Sequence, residues 1–189
     1  MCGAPVLLPQ SAVPQSVPQL DIQSGRWKPA APACKYKFID EQGQILGPAF
    51  FHEVAPFQEG MAAVRVDKLW GYIDRNLSIV IPPQYQFAGR FSEGLAKIQG
   101  ASGYSYIDRK GSVQIPGPFT YAGDFHEGVA TVYQNKESFY IDRSGRQAVP
   151  GRYSYGGRFF HGLANVQLRD GTLAYIDRSG RKVFRWKLR

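Results

Sequence analysis

The sequence predicts an all-β protein made of tandem 34-residue repeats, each a three-stranded antiparallel meander. Two recurring motifs and a two-residue alternation of side chains support this prediction. An aromatic-Ile-Asp triplet recurs at steps of 34, 34, 34 and 35 residues, as Phe38-Ile39-Asp40, Tyr72-Ile73-Asp74, Tyr106-Ile107-Asp108, Tyr140-Ile141-Asp142 and Tyr175-Ile176-Asp177. A second motif begins 19 residues after the first four triplets, as Phe57-Gln58-Glu59-Gly60, Phe91-Ser92-Glu93-Gly94, Phe125-His126-Glu127-Gly128 and Phe159-Phe160-His161-Gly162. Two motifs in one register indicate a repeat array, an architecture that typically presents an extended binding surface.

The first strand of each unit follows the Phe-x-x-Gly motif and alternates with period two. Ala96 and Ile98 point to one face, and the other units carry a small and a β-branched residue at the same places. The equivalent pairs are Ala62/Val64, Ala130/Val132 and Ala164/Val166. This constant face is predicted to be buried. The opposite face varies through Ala63, Lys97, Thr131 and Asn165 and is predicted to face solvent.

Two further strands are predicted on either side of an Asp-to-Gly turn. In the sample unit, the strand 104–108 leads through Gly111 into the strand 112–115, which Pro116 ends. The aspartate carboxylate can accept backbone N–H groups, and glycine can adopt a positive φ. The turn pairs Asp40/Gly43, Asp108/Gly111, Asp142/Gly145 and Asp177/Gly180 fit this pattern, whereas Asp74/Leu77 departs from it. A Pro/aromatic loop such as 82–88 closes the unit.

A period of 34 residues also fits the helical tetratricopeptide repeat, but that alternative fails here. Proline and glycine recur in the middle of each unit, and no apolar stripe of helical spacing is present. The path of the array stays open at this stage. A β-solenoid, a superhelical stack and a closed propeller-like ring are all compatible with the pattern.

Composition indicates a globular domain with an excess of positive charge. Hydrophobic residues make up 43% of the 189 residues, aromatic residues make up 14%, and the formal net charge is +8. No run approaches the roughly 18 consecutive apolar residues of a membrane-spanning helix. Five aspartates and three glutamates of the 15 acidic residues belong to the repeated motifs. The remaining surface is therefore more basic than the total suggests, which permits an acidic partner, a membrane surface or a polyanion.

The segment 1–35 lies outside the period and is predicted to be a Pro-rich linker before a repeat domain at 36–189. The repeat domain would hold about four repeats and a terminal hairpin. Cys2-Gly3-Ala4 before such a tether resembles the mature N-terminus of a bacterial lipoprotein, in which Cys2 would carry the lipid. The alternative is that Met1 is the native start and Cys2 is incidental. A disulfide to Cys34 is a further option, although an idle thiol at Cys34 is favoured.

The combined motifs resemble the bacterial WG (KWG) repeat over roughly residues 36–184. The resemblance rests on the segment 68–74 (KLWGYID), the segment 79–85 (IVIPPQY) and the segment 91–96 (FSEGLA). The Trp-Gly pair occurs once, at Trp70-Gly71, and Ser105, Phe139 and Ala174 precede the tyrosine of the later units. The resemblance implies β-rich modules that bind proteins, peptides or envelope components, and it brings no catalytic residue.

No constellation of residues predicts catalysis, a cofactor or a metal ion. The spacing of His52, His126 and His161 matches no zinc pattern, and His161 takes the place of the motif glutamate. The turn aspartates lie one unit apart, whereas glycosidase carboxylates lie roughly 5–9.5 Å apart. Phosphate-binding glycine loops and nucleophile elbows are also missing from the sequence. We therefore expect a protein that is not an enzyme.

An arginine series is the predicted partner-binding feature. One arginine follows each turn aspartate, and stacking would align the series Arg75, Arg109, Arg143 and Arg178, broadened by Arg146 and Arg181 and by Lys110 and Lys182. Guanidinium groups suit bidentate recognition of carboxylate or phosphate. The competing interpretation, favoured on the sequence, is a solvated turn in which each arginine neutralises its neighbouring aspartate.

The functional hypothesis is a module of the bacterial periplasm or cell envelope that binds a protein or peptide partner. Acidic proteins and peptides are among the partners considered. One concrete version is an inhibitor or immunity-type lipoprotein, and the alternative compartment is the cytoplasm. A second hypothesis is a binder of polyanion or anionic lipid through the arginine series. Nucleic acid is disfavoured as a ligand because the repeated aromatics recur like core residues.

Overall fold

The structure is a computed structural model that describes residues 51–186 in full. Before residue 51 it describes the backbone of the strands β1 (Val13–Ser16), β2 (Gln19–Leu20), β3 (Trp27–Lys28), β4 (Tyr36–Ile39) and the start of β5 (Ile45–Phe51). Strands β1, β4 and β5 form one sheet, and β2 pairs with β3. Strands β1 to β3 fall within the predicted linker, and most of that segment, with Cys2 and Cys34, lies outside the described residues. The boundary between linker and repeat domain stays a prediction.

Four antiparallel sheets follow in chain order. The first consists of β6 (Glu53–Val54), β7 (Met61–Val66), β8 (Leu69–Asp74) and β9 (Ile79–Tyr85), and the second of β10 (Phe87–Ser92), β11 (Leu95–Gly100), β12 (Gly103–Ile107) and β13 (Val113–Phe119). The third consists of β14 (Tyr121–Ala122), β15 (Val129–Gln134) and β16 (Glu137–Asp142). The fourth consists of β17 (Tyr155–Gly156), β18 (Ala164–Gln167), β19 (Leu173–Ile176) and β20 (Lys182–Trp186).

The prediction of all-β antiparallel meander repeats is confirmed, and the structure adds one strand to it. The added strand begins before the Phe-x-x-Gly motif, so that most of these sheets have four strands in sequential order. The two central strands keep one register throughout. In each sheet the alanine of the second strand pairs with the isoleucine of the third, as Ala62 with Ile73, Ala96 with Ile107, Ala130 with Ile141 and Ala164 with Ile176.

The chain divides into two compact units, unit 1 at Met1–Arg90 and unit 2 at Phe91–Arg189. In unit 1, Phe51 packs with Ala62, Val64 and Ile73 in one buried cluster. This cluster therefore combines residues of successive sheets, because Phe51 belongs to β5 and the other three belong to the next sheet. Burial between sheets, and not within one sheet, holds the repeats together.

In unit 2, two buried clusters show the same arrangement and define two faces of a sheet. We call the face toward the following repeat the trailing face and the face toward the preceding repeat the leading face. Between the second and third sheets, Leu95, Tyr106, Ile115 and Phe119 of the trailing face meet Ala122, Phe125, Ala130, Val132, Phe139 and Ile141 of the leading face. Between the third and fourth sheets, Val129, Tyr140, Val149 and Tyr153 meet Phe159, Ala164, Val166, Ala174 and Ile176.

This stacking corrects the prediction of a solvent face on the second strand. Ala63 and Thr131 are buried, at 2% and 7% exposure, and the Thr131 hydroxyl donates to the Gly157 carbonyl of the next sheet at 3.1 Å. The prediction assumed that one face of each sheet is exposed to solvent, whereas in unit 2 the following sheet covers the trailing face. Only Asn165, in the last described sheet, is exposed as predicted.

The predicted Asp-to-Gly turn is present after the third strand. The Asp142 carboxylate accepts the backbone N–H groups of Ser144 and Arg146 at 2.8 and 3.1 Å, and Gly145 has a φ of +81°. The departing unit builds the same turn without glycine. Leu77 takes a φ of +62° and donates its N–H to the Asp74 carbonyl at 3.0 Å, while its side chain is buried. Burial of the leucine offsets the backbone strain.

The single Trp-Gly pair meets a steric requirement of its own sheet. A Cβ on Gly71 would lie 2.4 Å from the Ile81 carbonyl oxygen, so only glycine fits this strand against its neighbour. In the second sheet the small residue moves to the partner strand. Ser105 takes the position, and a Cβ on Gly117 would lie 2.1 Å from the Tyr104 carbonyl oxygen. The loss of the Trp-Gly pair from later repeats is thus compensated locally in this repeat.

Candidate binding surface

The arginine series occupies the turns between the third and fourth strands. Arg75, Arg109 and Arg143 are exposed, and Arg178 is half-buried. The broadening residues Arg146 and Arg181 are exposed as well. Arg181 places its Nε 3.0 Å from the Asp177 carboxylate of its own turn.

Arg178 contacts Phe159 of its own repeat and Glu127 of the preceding repeat. Its guanidinium lies 4.4 Å from the centroid of the Phe159 ring, and its Nη2 lies 3.4 Å from a Glu127 carboxylate oxygen. The same nitrogen donates to the Glu127 carbonyl. An ion pair combined with stacking on an aromatic face uses both binding modes of arginine. Arg178 therefore connects two repeats and offers little of its charge to an outside ligand.

Arg143 lies in the corresponding place one repeat earlier. Its Nη2 would be 3.4 Å from a Cβ built on Gly94, in the Phe-x-Glu-Gly turn of the preceding sheet. Arg143 and Arg178 thus reach in the same direction along unit 2. The Arg178 charge lies beside the motif glutamate Glu127, which lowers the net charge there.

The motif glutamates form a second link between the same turns. The Glu93 carboxylate accepts the Gly128 N–H at 2.9 Å, and the Glu127 carboxylate accepts the Gly162 N–H at 3.0 Å. The bond from Gly162, followed by weaker contacts that include Arg178, lowers the pKa of Glu127 below its ordinary value. His161 replaces the glutamate in the fourth sheet. The repeated acidic residue is therefore explained by the linkage of one repeat to the next.

A second periodic series was not singled out from the sequence. The first strand of three sheets begins with an exposed aromatic residue, Phe87 in unit 1 and Tyr121 and Tyr155 in unit 2, with exposures of 37%, 53% and 54%. The next residue in each case, Ala88, Ala122 or Gly156, is buried. We call Tyr121 and Tyr155 the edge tyrosines. The signal in the sequence is an aromatic residue two places before Gly89, Gly123 and Gly157.

Each edge tyrosine has polar groups close to it or nearby in the sequence. The Lys97 ammonium lies 5.8 Å from the Tyr121 ring centroid and 3.2 Å from the Asp124 carboxylate. Three residues after Tyr155, the Arg158 guanidinium lies 5.9 Å from the ring centroid of Phe160. Phe160 is 55% exposed. Exposed aromatics beside cationic groups form the kind of surface that dominates binding energy in protein interfaces.

The histidines lie in two environments, one at His52 and one shared by His126 and His161 around Phe160. His52 accepts the Asp67 backbone N–H at 2.9 Å through Nδ1, which orders a turn. The rings of His126 and His161 flank Phe160 at centroid distances of 6.2 and 4.3 Å. Across the described residues, no group of three or more His, Cys, Asp or Glu side chains is arranged to hold a metal ion.

Comparison with known proteins agrees with this fold. The repeated antiparallel sheets define an all-β repeat protein. The family described as WG containing repeat matches four tandem segments, 38–70, 70–99, 104–137 and 139–171. The chain belongs to this family. No curated protein matches it.

Three solved structures share the fold at low sequence identity. They are KlHsv2 with loop 6CD replaced by a Gly-Ser linker (TM-score 0.53, 9% identity), the computationally designed Ika8 protein (0.53, 13%) and BamB from Moraxella catarrhalis (0.50, 12%). They cover 94%, 95% and 96% of this chain, which spans 63%, 60% and 60% of their lengths. These likenesses support the fold class predicted from the sequence, a tandem array of antiparallel β-repeats. In the described part of the chain, no helix has the length and apolarity to cross a membrane.

Proposed function

We propose that this chain is a non-catalytic module of the bacterial cell envelope that binds a protein or peptide partner through its edge tyrosines. The observation that carries the proposal is recurrence without burial. A residue repeated for the sake of the core is buried, as Tyr106 and Tyr140 are, whereas Tyr121 and Tyr155 recur and stay more than half exposed. Aromatic side chains supply large contact area at low conformational cost, which favours a protein or peptide as the ligand.

The edge tyrosines fit this role better than the arginine series does. Arg178 and Arg143 lie against the preceding repeat, whereas the edge tyrosines keep most of their rings accessible. The first strand is also an edge of its sheet, and in β14 and β17 it is only two residues long. Short edge strands discourage uncontrolled strand pairing, so selectivity would come from the side chains.

The envelope assignment rests on the tether and not on the repeats. Cys2 followed by small residues and a Pro-rich segment supports lipidation at Cys2, and an inhibitor or immunity-type lipoprotein is the concrete version. Metabolic labelling with a palmitate analogue in cells tests this part. We expect label on the wild-type protein and none on Cys2→Ser. An unlabelled wild-type protein found in the cytoplasmic fraction would refute the envelope assignment. The binding proposal does not depend on that result.

Affinity capture from envelope extract tests the binding proposal. Wild-type protein, the double variant Tyr121→Ser/Tyr155→Ser and the control Val113→Ser are compared by quantitative mass spectrometry. Val113 is 55% exposed on β13, so the control loses a similarly exposed apolar side chain outside the proposed surface. We expect one partner to be recovered with the wild type and the control and lost with the double variant. Equal recovery by all three proteins would rule out the edge tyrosines.

A second candidate function is binding of a polyanion or anionic lipid through the arginine series. Its support is the exposure of Arg75, Arg109 and Arg143. Anionic vesicles titrated between about 50 and 200 mM salt provide the test, because phosphate contacts weaken steeply over that range. Binding that changes neither with salt nor with Arg109→Ala/Arg143→Ala would dismiss this function.

A further inference from the structure

The last sheet exposes a set of apolar residues that is buried everywhere else in unit 2. On its trailing face, Leu163, Tyr175 and Phe184 are 37%, 41% and 61% exposed. Their equivalents in the second sheet, Leu95, Tyr106 and Ile115, are 6%, 0% and 3% exposed. The strand registers establish the equivalence, since Tyr106 pairs with Ile115 as Tyr175 pairs with Phe184. The face keeps the residues of an interface, and no described sheet covers it. Trp186 of the same strand places its ring 5.7 Å from that of Tyr175 and 5.5 Å from that of Phe184.

The buried interfaces of unit 2 show what chemistry covers such a face. Tyr106 donates its hydroxyl to the Gly123 carbonyl at 2.7 Å, and the Phe125 ring lies edge-on to it at 5.0 Å. The opposing sheet presents the paired Ala130 and Ile141 at the centre of its leading face. A fitting partner therefore carries a leading face in which a small residue, alanine in these interfaces, is paired to the isoleucine of the triplet.

The first sheet of the chain carries the same register, with valine in place of alanine. Strand β4 contains Ile39 of the first triplet, and β1 takes the position that the second strand holds in the other sheets. Val13 pairs with Ile39 in the register in which Ala130 pairs with Ile141. No sheet precedes this one among the described residues. Its leading side is thus the counterpart, by repeat equivalence, of the exposed trailing face.

We infer that two copies of this chain associate head to tail, with the trailing face of the last sheet in one copy covered by the leading side of the first sheet in the other. The contact continues the interface that already joins successive repeats within unit 2. It is heterologous, so each copy keeps one free end and further copies can add until a ring closes. This inference is independent of the proposed function, which uses the edge tyrosines.

Sedimentation velocity over a concentration series tests the association. The wild-type protein is compared with Phe184→Glu and with the control Val113→Glu, which places the same charge at a similarly exposed site of β13. We expect wild type and control to form dimers or larger assemblies as concentration rises. Loss of one buried aromatic and burial of a charge should weaken association of Phe184→Glu by tenfold or more, on the order of the free energy of burying one large side chain.

A mixing experiment tests the head-to-tail geometry itself. Val13→Glu is expected to block the other end of the contact, so that neither variant associates alone. A mixture of Phe184→Glu and Val13→Glu should form a one-to-one dimer, because each variant retains the end that the other lacks. Far-ultraviolet circular dichroism and urea unfolding establish that both variants are folded. A wild-type protein that stays monomeric to roughly 1 mM, or a mixture that stays monomeric while the wild type associates, would overturn the inference.

Discussion

In three of the described sheets, a buried tyrosine hydroxyl joins the repeat to the one that follows. Tyr72, Tyr106 and Tyr140 each donate to a glycine carbonyl 17 residues ahead, at 2.7 Å in every case. Burial, with smaller contributions from neighbouring groups, raises the pKa of Tyr106 and of Tyr140 far above the ordinary value for tyrosine. A raised pKa favours the protonated form of Tyr106 and Tyr140, which is the form that donates these bonds.

Removing these hydroxyls should have graded effects. Tyr106→Phe leaves the Gly123 carbonyl without its tyrosine donor and should lower the free energy of unfolding by about 1–2 kcal/mol. Tyr140→Phe should cost less, because the Thr131 hydroxyl still donates to the Gly157 carbonyl. Tyr175→Phe, in the exposed last sheet, should change stability by less than about 0.5 kcal/mol. Urea unfolding measures all three, and an equal loss in Tyr175→Phe and Tyr106→Phe would contradict the explanation.

At the scale of the element, the glycine of the Asp-to-Gly turn combines a positive φ with a close neighbour. Gly145 combines a φ of +81° with a close approach, because a Cβ there would lie 3.0 Å from a methyl group of Ile115 in the preceding sheet. Gly171 has the same φ of +81° and open space around it. The two glycines separate the cost of the backbone conformation from the cost of the contact.

Alanine substitution at these glycines measures the two costs. We expect Gly171→Ala to destabilise by about 1 kcal/mol through the backbone alone. Gly145→Ala should cost about 1 kcal/mol more, because Ile115 has to shift in a packed core. Thermal or urea unfolding provides the comparison. Equal losses would show that the stacked sheets accommodate the methyl group freely.

The aspartate of the turn makes stability depend on pH in acid. Bonds from the Ser144 hydroxyl and then from backbone N–H groups hold the pKa of Asp142 below its ordinary value. A carboxyl whose folded pKa is depressed stabilises the fold fully above its unfolded pKa, about 3.9, and loses this effect as pH falls toward the folded pKa. Asp142→Asn should flatten the dependence of the urea midpoint on pH below about 4, and Ser144→Ala should reduce it partly. A profile of Asp142→Asn identical to that of the wild type would refute this role.

The sequence predicted the elements well and their surroundings less well. Alternation located the second strand, and the spacing of Asp142 and Gly145 located the turn, because both patterns report local backbone geometry. The same alternation wrongly predicted that Thr131 faces solvent, because the sequence of a single repeat does not show that the next sheet packs over this face. Tyr121 was missed for the same reason: recurrence alone does not separate a buried aromatic from an exposed one, and only its 53% exposure does.

At the scale of the whole molecule, stability should fall toward the end of unit 2. The third sheet is covered on both faces, whereas the trailing face of the fourth sheet is exposed. In a linear array, a repeat with one neighbour gains one interface instead of two. Its opening therefore needs less free energy than the opening of an interior repeat.

Hydrogen exchange read by mass spectrometry tests this gradient. Peptides from β19 and β20 should exchange faster than peptides from β15 and β16, because the sheet that contains them can open alone. The comparison is made at low protein concentration, so that self-association does not protect the last sheet, and Phe184→Glu serves as the reference without association. Equal protection in β16 and β19 would mean that unit 2 opens as one cooperative block.

The tyrosine hydrogen bond also affects the order in which the repeats can complete their folding during synthesis. Each hydroxyl finds its carbonyl 17 residues later in the chain and never earlier. On the ribosome, a newly emerged repeat would therefore keep an unpaired hydroxyl and an uncovered ring until half of the next repeat has been translated. Folding of the nascent protein would therefore lag behind its synthesis by half a repeat. A pause in translation would leave one sheet with an exposed apolar face at the end of the folded part.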